Sequence, residues 1–116
     1  MIYLFPGQGS QKPGMGRDFH AAGGAGRAVL DAAARYLPND FLATLFEGDA
    51  AALRPTRTAQ PALLVAELAA AAHLRERGIA PSACAGHSLG EHVPDAGLHG
   101  ARRGNVQHHL LQTGRY

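Results

Sequence analysis

Residues 79–91 read IAPSACAGHSLGE. A short apolar run enters a tight glycine-flanked turn, and the reading of this stretch organises the rest of the chain. Gly86-His87-Ser88-Leu89-Gly90 fits G-x-S-x-G, the pattern of a nucleophile set on a sharp strand-to-helix turn. Small residues are needed at both flanks because bulkier ones would collide with adjacent backbone. Such a turn lifts the Ser88 hydroxyl to the mouth of a sheet and aims the Leu89 amide at a developing oxyanion. With 15 glycines in the chain, the same five residues also fit a glycine-rich strand-to-loop turn carrying an incidental serine.

Working outward, MIYLF at residues 1–5 is a wholly apolar run stopped by Pro6-Gly7, which reads as a buried strand. The loop PGQGSQKPGMG (6–16) follows, its glycines able to bring backbone amides close to a ligand. Residues 26–37 place Val29, Leu30, Ala33 and Leu37 on one helical face, ended by Pro38. DFLATLFEGD (40–49) reads as a second helix stopped at Gly48. The clearest helix spans 58–78, with Thr58 as cap, Pro61 in the first turn and Gly78 just past the end. Arg75 and Arg77 suit its negative end, and Leu64, Leu68 and Ala71 or Ala72 form its core stripe. The order strand, helices, strand, turn predicts an α/β fold with a parallel sheet.

At 116 residues the chain is one domain at most. Alanine carries much of its 46% apolar content and aromatics contribute only 6%, so the core should be thin. The net charge of +2 is spread over scattered arginines, which excludes a nucleic-acid stripe. One cysteine, Cys84, excludes an internal disulfide and fits a reducing cytosol, as a buried small hydrophobe. No apolar run approaches the roughly 18 residues of a membrane span. The start also lacks the basic region of a signal peptide, so a cytoplasmic location and no membrane partner are expected. Five of the seven histidines fall in the last thirty residues at spacings that suit no zinc pattern, and no metal is expected.

Three ordered segments, FPGQGSQKPGMG, TAQPALL and AGHSLGE, resemble the malonyl-CoA:acyl carrier protein transacylases and the acyltransferase domains of polyketide synthases. The resemblance covers residues 2–91. It implies an α/β-hydrolase-like acyltransferase core with a short parallel sheet and flanking helices. It also implies two-step acyl transfer: Ser88 takes an acyl group from a coenzyme A thioester, then passes it to the phosphopantetheine thiol of an acyl carrier protein. Acyl-CoA enters as substrate, and no bound cofactor is implied. Gln8 and Leu89 match the residues whose amides form the oxyanion hole. Gly7, Gly9, Gln60, Gly86, His87, Gly90 and Glu91 match motif positions that shape the site.

Residues 92–116 diverge. HVPDAGLHGARRGN stands where the family carries an alanine-rich helix, and Pro94 would kink or stop it; the abrupt change resembles a compensated frameshift. Where the family carries an arginine that binds a free carboxylate on the acyl group, this chain has Thr113. Arg115 lies two residues away, about 200° around a helix. The family's general-base histidine and its small subdomain are expected beyond residue 116. Two other readings therefore stay open: an acyl hydrolase of the same fold, and a truncated inactive fragment.

Overall fold

The computed structural model describes residues 1–87. Two strands, β1 (Ile2–Phe5) and β2 (Ala83–Gly86), pair in parallel with Ile2 beside Ala83 and Phe5 beside Gly86. The ladder extends past both ends. Ser82 donates its amide to the Met1 carbonyl at 2.9 Å, and His87 donates to Phe5 at 3.1 Å. Between the strands come α1 (Arg17–Ala22), α2 (Gly24–Ala34), α3 (Phe41–Glu47), α4 (Ala50–Leu53) and α5 (Thr56–Glu76). The expected α/β order with a short parallel sheet and flanking helices is thus present. Among the described residues, no helix is long and apolar enough to cross a membrane.

The core forms between one sheet face and the helices. Tyr3 and Phe5 point inward from β1 and meet edge to face, 6.2 Å between ring centroids. Leu30, Ala33, Phe41, Leu45 and Leu53 join them from α2, α3 and α4. The expectation of a fully buried first strand is corrected: Ile2 is 60% and Leu4 75% exposed. Side chains alternate across a strand, and the described helices cover only the face that Tyr3 and Phe5 share.

α5, about 31 Å long, is the central element, buried well beyond a single stripe. Leu63, Leu64, Val65, Leu68 and the alanines at 59, 62, 66, 69 and 71 are all buried. The small residues let α2 approach closely. A methyl group built at Gly26 would stand 3.1 Å from the Ala69 carbonyl oxygen, and from α1 the Phe19 ring lies tilted against that of His73, 5.0 Å between centroids.

Two boundaries of α5 contrast. Its C-terminus is as expected. Gly78 is left-handed (φ +77°), its amide donates to Arg75 and that of Ile79 to Leu74, a Schellman arrangement that satisfies otherwise orphaned carbonyls. Its N-terminus lies two residues earlier than Thr58. Pro55 occupies the cap position, and its carbonyl accepts from the amides of both Thr58 and Ala59. Pro61 therefore sits in the second turn rather than the first, where its missing N–H costs one helical hydrogen bond.

The helix expected at 26–37 runs instead over 24–34 and closes in tight turns, Arg35 to Ala32 and Tyr36 to Ala33. Leu37 cannot easily extend it, because the ring of Pro38 disfavours helical backbone at the preceding residue. Leu30 and Ala33 are buried, and Val29 and Leu37 pack partly against the core. Gly48 does end α3, but from extended backbone (φ −66°). A methyl group there would stand 2.4 Å from the Thr44 carbonyl oxygen, so close approach is what requires glycine. The short helices α1 and α4 carried too few periodic residues to be read from sequence. α4 is capped by Asp49, which accepts from the Ala52 amide at 2.8 Å.

Candidate active site

Parallel pairing in register puts the C-terminal ends of β1 and β2 side by side. The loop beginning Pro6-Gly7-Gln8 and the segment leading into Ser88 therefore leave the sheet together, tied by the His87-to-Phe5 hydrogen bond. The carboxyl ends of parallel strands are where open α/β sheets bind ligands. Gly86 closes β2 and His87 follows it, exposed. Ser88, Leu89, Gly90 and Glu91 lie outside the described residues, as do Pro94, Thr113 and the later histidines.

The glycine-rich loop is held from two sides. Gln8 donates from Nε2 to the Thr56 hydroxyl at 3.0 Å, and Gln60 donates from Nε2 to Gln8 Oε1 at 3.4 Å. Thr56 and Gln60 stand one turn apart on α5, so one helix face grips one side chain. On the other side the Gly9 amide donates to Gln11 Oε1 at 2.8 Å, and Ser10 closes a turn onto Gly7. Gly9 has φ +107° and open space where a side chain would project, a conformation that favours glycine. Gly7 is buried, Gln8 exposed and Gln60 half-buried. Among the described residues, the backbone N–H of Gln8 has no acceptor. A backbone amide at such a strand end, in an exposed residue whose side chain is anchored, can serve an incoming oxyanion.

Two residues near this frame were not singled out from sequence. Thr56 precedes the expected helix start, which hid its place on α5. Glu67 lies two turns beyond Gln60 on the same helix, both carboxylate oxygens buried and without a hydrogen-bond partner among the described residues. Desolvation raises its pKa from 4.5 to about 7. The signal was present as a lone acid in the apolar run LLVAELAAAA. Cys84 is a free thiol, half-buried against the core. Among the described residues, no three His, Cys, Asp or Glu side chains gather as metal ligands. His20 and Asp31 pair at 2.8 Å on the far helices, and the hydrogen bond from His20 holds the Asp31 pKa below its ordinary value.

The sequence model of a family described as "Acyl transferase domain" matches residues 2–99, most of the chain. The chain belongs to the acyl transferase domain family. A malonyl CoA-acyl carrier protein transacylase of Bacillus subtilis (strain 168) is 44% identical over 92 residues, covering 79% of this chain and 29% of that protein. The crystal structure of an acyl-carrier-protein S-malonyltransferase from Burkholderia pseudomallei 1710b superposes with a TM-score of 0.84 at 33% identity. That match covers 97% of this chain and 36% of the other. A type II polyketide synthase acyl-carrier protein in complex with its malonyl-transacylase provides a further match, with TM-score 0.83 and 32% identity, covering 97% and 36% of the two chains. The chain thus spans about a third of the length of these acyl transferases.

Proposed function

We propose that this acyl transferase chain carries the nucleophile and oxyanion half of an α/β-hydrolase-like core that moves an acyl group from coenzyme A to an acyl carrier protein. In the first step Ser88 Oγ attacks the thioester carbonyl and gives up its proton to a general base. The tetrahedral oxyanion is held by the amides of Gln8 and Leu89. Collapse breaks the carbon–sulfur bond, and coenzyme A leaves as the thiolate and takes up a proton. In the second step the phosphopantetheine thiol of the carrier protein attacks the Ser88 ester, and the serine recovers its proton as the alkoxide departs. The resemblance puts the base beyond residue 116. The acyl-CoA is consumed as substrate, and a cytoplasmic setting fits the lone thiol.

The observation that carries this reading is the Gln8 amide, without an acceptor among the described residues, just past the end of β1 and beside the strand end that leads toward Ser88. A relative in complex with its acyl-carrier protein supports the choice of acceptor. Thr113, in place of the family's carboxylate-binding arginine, favours a second outcome in which the ester is released to water. The test is incubation with radiolabelled malonyl-CoA and a phosphopantetheinylated carrier protein. Label on the carrier protein, absent with Ser88→Ala, is expected. Free malonate in place of labelled carrier would make the protein a hydrolase. Equal transfer by Ser88→Ala would overturn the serine-ester mechanism.

A further inference from the structure

Thr56 opens α5, 48 residues from Gln8 in sequence, yet its hydroxyl accepts the hydrogen bond of the Gln8 side chain at 3.0 Å. Gln60, one turn on, supplies the longer second contact at 3.4 Å. The turn from the Ser10 amide to the Gly7 carbonyl at 3.3 Å sets the course of the backbone through Gln8, and the α5 contacts hold its side chain from outside that turn. Gly9 beside it has φ +107° and open space where a side chain would project, and Gln8 itself is exposed. Gln11 restrains Gly9, not Gln8. Within this turn the Gln8 side chain is the part held by a distant element, and Thr56 makes the shorter of its two contacts with α5.

We propose that Thr56 is a positioning residue for acyl transfer: through the Gln8 side chain it fixes the Gln8 amide as an oxyanion donor. The inference rests on the acyl-transfer reading above for its kinetic consequence, but the anchoring itself is independent of it. Thr56 acts through the Gln8 side chain, and no direct contact with substrate is assigned to it. Its contribution appears only when charge develops on the acyl oxygen, so its loss slows acylation and leaves substrate affinity unchanged. The hydrogen bond is solvent-exposed, which places the effect at the modest end, roughly 5-fold in rate for a typical net hydrogen bond.

The test compares Thr56→Val, which keeps the branched shape and removes the hydroxyl, with Thr56→Ser, which keeps the hydroxyl. Two readouts are taken on the full chain. The first is the order parameter of the Gln8 backbone amide by ¹⁵N relaxation. The second is the rate constant and half-saturation for acylation of Ser88 by malonyl-CoA. Thr56→Val is expected to lower the order parameter and slow acylation about 5-fold at unchanged half-saturation, with Thr56→Ser close to wild type in both. An unchanged Gln8 order parameter in Thr56→Val overturns the anchoring, whatever the chemistry. A loosened amide with unaltered acylation overturns the positioning role. If the wild-type protein takes no acyl group at all, the acyl-transfer reading falls, and with it the kinetic role of Thr56. The relaxation measurement then decides the anchoring alone.

Discussion

Glu67 should make the stability of this fold depend on pH across the neutral range. Both of its carboxylate oxygens are shut away from solvent on α5 and meet no donor among the described residues, and burial alone raises its pKa from 4.5 to about 7. At about 1.4 kcal/mol per tenfold change in proton affinity, the interval between those values sets a ceiling of about 3 kcal/mol. The residue is only half-buried, so relaxation and water access reduce this to about 2 kcal/mol. The folded-state pKa lies above the unfolded one, so folding favours the protonated acid. The contribution is fully present below pH 4.5, declines as pH rises toward 7 and is gone above it. Glu67→Gln keeps the shape and stays neutral throughout. Urea unfolding of both proteins at half-unit steps from pH 4.5 to 8.5 isolates the effect, because every other titrating group cancels in the difference. The stability of Glu67→Gln relative to wild type should rise by about 2 kcal/mol across that range, a large share of a typical domain's 5–15 kcal/mol. Parallel profiles would refute the reasoning and show that Glu67 finds a donor or solvent.

Three further outcomes follow from packing. Gly48→Ala drives a methyl group to 2.4 Å from the Thr44 carbonyl oxygen and should cost about 1–3 kcal/mol in urea unfolding; an unchanged midpoint would mean the α3–α4 joint relaxes freely. Leu64, fully buried, should cost about 2–5 kcal/mol when replaced by alanine, and a loss below 1 kcal/mol would show that α5 is not the centre of the core. Ile2 and Leu4 present an apolar face beside exposed Ala83 and Ala85, so Leu4→Ser should lower binding of an apolar fluorescent dye without loss of fold. Equal dye binding would place the exposed apolar surface elsewhere.

Sequence made the frame of this fold readable where residue chemistry is local. Gly78 marks the end of α5 because only a residue tolerant of left-handed backbone closes that turn cheaply. The apolar runs at 1–5 and 79–85 mark the two strands, and the Pro6-Gly7 pair marks where β1 ends. Distant contacts obscured the remainder. The start of α5 was misplaced because Thr58 is a better capping type than Pro55, although the chain uses the proline. The exposure of Ile2 and Leu4 depends on which elements cover the sheet, which a continuous apolar run does not encode. Of the site, Gln8 and Gln60 were legible as motif residues, and the structure brings their side chains together. Thr56 was not, since what marks it is a hydrogen bond across 48 residues.

The central claim is that Ser88 receives the acyl group. Its most direct test is peptide mapping by mass spectrometry after brief exposure of the protein to malonyl-CoA and acid quenching. The account predicts a malonyl ester on the peptide containing Ser88, absent in Ser88→Ala and untouched by Cys84→Ala. An adduct that persists in Ser88→Ala, or that maps to Cys84, would contradict it.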